Sequence, residues 1–260
     1  MGKNETGGVT IITPTIRPEF IDQVFQNYAH QKWSKKELII VINKNNVNIN
    51  LYKNKAVDFA DVSIYKLPES KKLGACLNYA ISRAKYSYVA KFDDDDYYAP
   101  NYIPEAMNLF LSSDADVVGK RSFFFYFPHL STLLLRKSKT PPYSRCKKIA
   151  GATIMFHKRV FRRVQFATHV RQGSDVRFVS ACLKNGYKLY TTSPYNFAAF
   201  RRTNRQSHTW KVSERSLFAG KNTSSIRTNN FKSYVKRPLR NTLKTISKEL
   251  LPASFNLKEM

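Results

Sequence analysis

Four consecutive aspartates, Asp93 to Asp96, stand in the stretch YVAKFDDDDYYAP of a chain whose formal net charge is +26. Adjacent carboxylates repel one another, and no apolar core requires them. The run follows an apolar segment directly and has aromatic residues on both sides, unlike a freely solvated loop. An EF-hand is excluded, because the Asp-x-Asp-x-Asp-Gly spacing and the distant Glu are absent. The chemistry such a cluster serves best is holding a hard divalent cation shared with a phosphate.

The elements that must position this run are legible as alternating periodicities. Residues 9–13 (VTIIT) read as a short buried strand, and Phe20, Ile21, Val24, Phe25 and Tyr28 then form a helical stripe. A second buried strand is expected over 37–43, an Asn-rich loop after it, a third strand over 62–66 and an amphipathic helix through Leu73, Leu77, Ile81 and Ala84. Residues 86–92 supply a fourth strand. Strands alternating with helices predict an α/β fold with a doubly wound, mostly parallel, Rossmann-like sheet. Ligands of such sheets bind beyond the carboxyl ends of the strands, so Thr13, Asn43, Lys66 and Asp93 are expected at one crevice. Further on, 115–127 reads as one strand, 136–148 as an irregular basic loop and 152–156 as a strand. A helix is expected from Ser174, and closing strands over 187–192 and 195–201.

Composition narrows the class. At 260 residues with 42% hydrophobic content, the chain can bury a proper core. Cys76, Cys146 and Cys182 are far apart and in no metal-ligand spacing, which suits reduced thiols in a cytoplasmic protein. The start MGKNETGGVTIITP has no apolar run after its charges, so no secretion signal is expected. The most apolar stretch, 123–135, contains Pro128 and His129 and falls short of the about 20 residues a spanning helix needs. The excess of 44 Lys+Arg over 18 Asp+Glu attracts polyanions, whether nucleic acid, an anionic membrane or a phosphorylated substrate.

Five segments, VTIITPTIRPE, ELIIVIN, KKLGACLNYAISRAKYSYVAKFDDDDYY, GSDVRF and RRTNRQSHTW, occur in an order that resembles the family 2 glycosyltransferases of the GT-A fold, over residues 9–210. The resemblance implies sugar transfer from a nucleotide diphosphate donor, a UDP-sugar foremost, with inversion and with Mn²⁺ or Mg²⁺ as cofactor. It implies that Asp93 faces the ribose, with Asp94 beside it in the donor site, and that Asp95 holds the metal with His208 as a further ligand. Thr13, Pro14, Thr15 and Arg17 would border the nucleotide. Asn43 stands where many members carry Asp. Lys72, Gly74 and Asn78 match the loop and helix over the donor, although Gly74 also suits an ordinary helix start. Asp175 matches the catalytic base, with Ser174 in place of the usual Glu; GSD also reads as a helix cap. Arg201, Arg202 and Arg205 would meet the pyrophosphate, Arg202 foremost. His208 and Trp210 also suit purely structural roles.

The division implied is a glycosyltransferase domain over 1–220, with a nucleotide-sugar half at 9–118 and a smaller acceptor-side subdomain at 119–220. A basic C-terminal extension over 221–260 carries nine Lys/Arg against two Glu. From Pro238 this tail predicts a helix with Leu239, Leu243, Ile246 and Leu250, joined by Val235, on one stripe. It suits either an anionic membrane surface or the chain's own domain. The expected partners are a nucleotide-sugar donor and a glycan or lipid-linked acceptor, whose anionic character the basic 136–148 loop suggests. Bacterial surface polysaccharide synthesis at the cytoplasmic face of the membrane would suit them. The alternatives are a non-enzymatic binder of nucleic acid or another polyanion, and a sugar nucleotidyltransferase. No nucleic-acid motif appears, so no nucleic acid is expected. TPTIRPE lacks the glycines a nucleotidyltransferase phosphate loop requires.

Overall fold

The computed structural model describes residues 7–203 and 212–239. The strands in chain order are β1 (Val9–Thr15), β2 (Lys36–Ile42), β3 (Val62–Lys66), β4 (Tyr88–Lys91), β5 (Tyr97–Tyr98), β6 (Val117–Gly119), β7 (Phe123–Phe127), β8 (Thr132–Arg136), β9 (Ser144–Arg145), β10 (Met155–His157), β11 (Leu189–Thr191), β12 (Phe197–Phe200) and β13 (Thr223–Arg227). The helices are α1 (Ile21–Ala29), α2 (Ile49–Ala56), α3 (Leu73–Arg83), α4 (Tyr102–Ser112), α5 (Ser174–Lys184), α6 (Glu214–Phe218) and α7 (Phe231–Val235).

Eight strands form the main sheet in the order β3-β2-β1-β4-β10-β6-β11-β9. Strands β1 to β4 pair in parallel, and β6 and β11 share their direction; β10 and β9 run against them. The α/β, mostly parallel sheet expected from the sequence is therefore present. It is also doubly wound. Ile11, Leu38, Ile40 and Ile42 pack on one face with residues of α1, α2 and α4, while Ile12, Ile39 and Val41 pack on the other with residues of α3 and α5. This is the two-residue period of a strand buried on both sides.

A second, five-stranded sheet has the order β13-β8-β7-β12-β5. Phe123, Phe125, Phe127 and Phe197 turn toward the main core; Phe124, Tyr126, Leu133 and Ala198 pack on the opposite face with Phe231 and Val235. The apolar stretch 123–135 is thus a β-hairpin. Among the described residues no helix is long and apolar enough to cross a membrane.

Several expectations need correction. The stretch 115–127 is two strands in different sheets, because Lys120 and Arg121 turn the chain between them. Their backbone N–H groups donate to the hydroxyls of Thr153 and Thr191, both at 2.9 Å. The two sequence halves interleave: β9, β10 and β11 complete the main sheet, and β5 joins the second. Helix α2 begins inside the Asn-rich loop, where the Asn48 side chain accepts a hydrogen bond from the Asn50 N–H at 2.9 Å. The tail beginning at Lys221 is not an appendage over its first part. Strand β13 pairs with β8, Val235 is buried, and the Val235 carbonyl accepts from the Asn196 N–H at 2.8 Å. Val235 is therefore unavailable to a membrane-facing stripe. The amphipathic helix expected from Pro238 lies, from Arg240 onward, outside the described residues.

Candidate functional site

The parallel strands deliver their carboxyl ends to one place. β1 runs two residues past Thr13, which is buried within the strand opposite Ile40. The strand-end residue is Thr15, with Pro14 half-buried before it. The backbone carbonyl of Thr15 accepts from the Asn43 N–H at 2.8 Å, and Phe92 N–H donates to the Ile12 carbonyl at 3.0 Å, which brings the aspartate run alongside. The loops beyond β2 and β3 are tied together. The Asn43 amide donates to the Pro68 carbonyl at 2.7 Å, and the Lys66 ammonium donates to the carbonyls of Asn45 (2.8 Å) and Val47 (2.7 Å).

The aspartates divide by task. Asp94 is buried and accepts from the Thr15 hydroxyl at 2.5 Å and from both Nε (3.2 Å) and Nη2 of Arg17. Asp95 Oδ2 accepts from Arg17 Nη1 at 2.9 Å and lies 3.6 Å from Arg202 Nη1; Arg202 Nη2 also donates to the Asp95 carbonyl at 3.2 Å. The Arg202 guanidinium lies over Phe20, 4.3 Å from the ring centre, and over Phe200 at 5.1 Å. Asp96 turns inward. Its carboxylate accepts from the Phe200 N–H at 2.9 Å and its carbonyl from the amides of Gln23 and Asn27, both at 2.8 Å. Asp96 thereby fastens the run to β12 and α1.

Asp93 belongs to another group. Its Oδ1 accepts from the ammonium of Lys91 at 2.6 Å, and the same ammonium lies 3.3 Å from Asp175 Oδ2. Asp175 stands in the first turn of α5. The residue preceding that helix is Gly173, held at φ +78°, where a side chain would be strained. Ser174 is the first helical residue and donates to the Ala167 carbonyl at 3.3 Å; it does not cap the helix as GSD suggested. A Cβ on Gly151 would stand 2.4 Å from Asp175 Oδ2, so only glycine admits the carboxylate there.

The α3 residues take different positions. Lys72 is exposed at the helix start. A Cβ on Gly74 would fall 2.1 Å from the Ala167 carbonyl oxygen, and Asn78 exchanges two hydrogen bonds with the backbone of Phe166 (2.9 and 3.0 Å). Both fix the segment that leads into α5. His208, Arg205 and Trp210 lie outside the described residues. Arg201 is buried and donates to the Val212 carbonyl at 2.7 Å.

Burial dominates the proton equilibria. It lifts the Asp94 carboxyl to about 6, against the pull of Arg17 and with the help of Asp95. Asp96 is pushed well above the usual carboxylate range by burial and by Asp95 and Asp93. Burial also raises Asp175, opposed by the positive charge of Lys91. For Lys91 and Arg17 burial works to lower the value, yet both stay above their ordinary range, Lys91 through Asp175 and Asp93, Arg17 through Asp94 and Asp95. All three cysteines are free; Cys76 and Cys182 are buried and Cys146 half-buried.

Among the described residues no group of three or more His, Cys, Asp or Glu side chains is set to hold a metal. The donors still fit a hard divalent cation, because Mg²⁺ characteristically takes one or two carboxylates and completes its shell with substrate phosphates and water. Asp95 is such a carboxylate, although its Oδ2 is paired with Arg17 here.

Lys91 is the functional candidate that residue-type reasoning passes over. Lys91 carried a signal: it stands two residues before Asp93 in a stretch that reads as a strand, and residues two apart in a strand share a face.

The sequence model for Glycosyl transferase family 2 matches residues 10–169, which include the aspartate run. The O-antigen biosynthesis glycosyltransferase WbnJ of Escherichia coli is 28% identical over 151 residues, covering 55% of this chain and 58% of that protein. This chain therefore spans little more than half the length of that relative. In structure it is similar to residues 1–349 of Staphylococcus aureus TarS, solved with UDP-GlcNAc (TM-score 0.62, 15% identity, 81% of this chain and 63% of that one). It is also similar to the mannosyltransferase PcManGT from Pyrobaculum calidifontis, solved with GDP-Man and Mn²⁺ (TM-score 0.57, 18% identity, 82% and 59%). The shared fold is GT-A. Since the family model takes in more than half of the chain and all four strand-end aspartates, this chain belongs to glycosyl transferase family 2.

Proposed function

We propose that the chain is a metal-dependent, inverting glycosyltransferase that moves a sugar from a nucleotide diphosphate, a UDP-sugar foremost, to a hydroxyl acceptor. The observation that carries this reading is the meeting of two carboxylate groups at one end of the sheet. Asp93 to Asp95 stand at the strand end, and Asp175 approaches from α5 across a single ammonium. Asp93 would take the ribose, with Thr15, Arg17, Asn43 and Lys72 around the nucleotide. Asp95 and His208 would hold Mn²⁺ or Mg²⁺, which when bound supplies a Lewis acid for the diphosphate. Arg17 and Arg202 already carry positive charge at Asp95, where charge grows on a departing diphosphate.

Asp175 is the base of this reading. Its Oδ1 is buried and has no hydrogen-bond partner among the described residues, an unmet acceptor that the hydroxyl of a bound acceptor would satisfy as it gives up its proton. Attack from that side, opposite the leaving diphosphate, inverts the anomeric carbon. The acceptor proposed is a surface glycan or its lipid-linked precursor, handled at the cytoplasmic face of a membrane, with the basic tail toward the anionic lipid. The O-antigen role carried by WbnJ's name supports the pathway class.

Slow donor hydrolysis, with water as acceptor, tests the stereochemistry without knowledge of the acceptor. Proton NMR in the first minutes of turnover of α-linked UDP-glucose, UDP-galactose and UDP-GlcNAc should show the β-sugar appearing before mutarotation mixes the anomers. Initial release of the α-sugar contradicts inversion.

A further inference from the structure

Lys91 is 1% exposed, in the middle of the main sheet on β4, with β1 on one side and β10 on the other. An ammonium has three hydrogens to give, and three acceptors surround this one: Asp93 Oδ1 at 2.6 Å, the Gly151 carbonyl at 3.3 Å and Asp175 Oδ2 at 3.3 Å. The surroundings hold each acceptor in place. The Asp93 N–H donates to the Tyr98 hydroxyl at 2.8 Å, that hydroxyl donates to the Ala152 carbonyl at 2.6 Å, and the Tyr98 ring stacks on Phe92 with centres 3.7 Å apart. Asp175 is seated against Gly151, where no side chain fits between them.

Buried cation–carboxylate clusters seldom stabilise a fold better than apolar packing of equal volume. A cluster of this kind that reaches the surface through Asp93 and Asp175, at the carboxyl end of a central strand, therefore points to chemistry. Its asymmetry points to which chemistry: one oxygen of Asp175 is pinned by Lys91, and the other is buried with no partner among the described residues. Among the described residues the charged groups that face Asp175 are Lys91 and Asp93; the turn Gly151–Thr153 packed against it contributes none.

We propose that Lys91 is a positioning residue that joins the donor side of the site to the base. Its ammonium fixes Asp93 and Asp175 to one point, keeps Asp175 ionised in a half-buried setting, and leaves Oδ1 as the oxygen whose hydrogen-bonding capacity is still unmet. This rests on the reading of Asp175 as the base. Removal of the ammonium leaves two facing carboxylates without their shared counter-charge, and an opposite charge at this range holds a carboxyl down by about 1–3 pH units.

The test is a carbon-13 NMR titration of the full chain labelled at aspartate Cγ, with Asp175→Asn identifying the resonance. Lys91→Met should raise the Asp175 midpoint by about 1–3 pH units, and Lys91→Arg should restore at least part of the shift. Activity needs the ionised form and falls as pH drops through the midpoint. The acid limb of UDP-sugar hydrolysis should therefore move to higher pH by the same amount, whereas a purely structural role would lower the rate evenly at all pH. If Lys91→Met does not fold, Asp93→Asn takes its place: it frees Lys91 for Asp175 and should lower the midpoint. An unmoved midpoint in the folded variants overturns the proposal. Full turnover by Asp175→Asn would instead overturn the base reading, whatever the titration shows.

Discussion

Asp175→Asn is expected to lower sugar transfer by about 10²–10⁴-fold, the usual contribution of a general base, while nucleotide affinity stays unchanged. The amide has nearly the shape of the carboxylate and still fits beside Gly151, so the fold has no reason to suffer. What disappears is the negative charge, and with it the basicity that takes the acceptor's proton. The separation from nucleotide binding follows from geometry, since Asp175 reaches the donor side only through Lys91, which keeps its bond to Asp93 in the variant. Asp175 contacts Lys91 and the Gly151 turn, while Asp94 and Asp95 are organised by Arg17, Thr15 and Arg202. In the wild type, burial keeps the Asp175 carboxyl above the ordinary range, so activity should fall on acidification at a higher pH than a solvated aspartate would give. Wild-type turnover by Asp175→Asn would remove this residue from the mechanism.

Glu105→Ala is expected to destabilise the chain by about 3–5 kcal/mol, the cost of leaving a buried charge without its partner. Glu105 and Lys120 are both fully enclosed and meet at 3.2 Å. The Glu105 carboxylate also accepts from the Tyr143 hydroxyl (3.0 Å), the Ser193 N–H (2.9 Å) and the Asn196 amide (3.3 Å). Lys120 donates further to the Thr192 hydroxyl at 2.9 Å and the Ser193 carbonyl at 2.8 Å. One carboxylate thus ties α4 to the link between β11 and β12, where the chain passes from the main sheet to the second. Urea unfolding of Glu105→Ala measures the loss. The double variant Glu105→Leu with Lys120→Met should recover much of it, since apolar replacement of a whole buried pair is often neutral or better. A loss below about 1 kcal/mol in Glu105→Ala would show that water reaches Lys120.

The parallel half of the fold was legible because its signals are local. VTIIT and ELIIVIN are β-branched runs of strand length, and the stripe Leu73, Leu77, Ile81 has the helical period. Helix α4 escaped notice for a physical reason: Tyr102 through Met107 and then Leu109 and Phe110 are all buried, so no polar face marks a period. Pro104 also imitates a breaker, although in the first turn its missing N–H costs nothing. The second sheet was read piecemeal, because pairing of β13 with β8 joins residues nearly a hundred positions apart and leaves no trace in either segment. At the site, the aspartate run announced itself by charge, yet its division of labour did not. Arg17 reaching Asp94, Asp96 turning to Phe200, and Lys91 bridging Asp93 to Asp175 all depend on tertiary approach. Gly74 and Asn78 read as donor contacts, and their positions against Ala167 and Phe166 follow from how α3 meets the lead into α5.

The central claim, that the aspartate run is a metal-assisted nucleotide-sugar site, is tested most directly by thermal shift and calorimetry with UDP, GDP, dTDP and CDP. Each nucleotide is measured with and without Mn²⁺, on the wild type and on Asp95→Ala. A ligand at 100 times its Kd adds about 2.7 kcal/mol of stability, which for a chain of this size is about 5–10 °C in Tm. The predicted result is a rise of that order with one nucleotide, dependent on Mn²⁺ and lost in Asp95→Ala. No rise with any nucleotide, or a rise indifferent to both Mn²⁺ and Asp95, would contradict the account and leave the aspartate run without a role in donor binding.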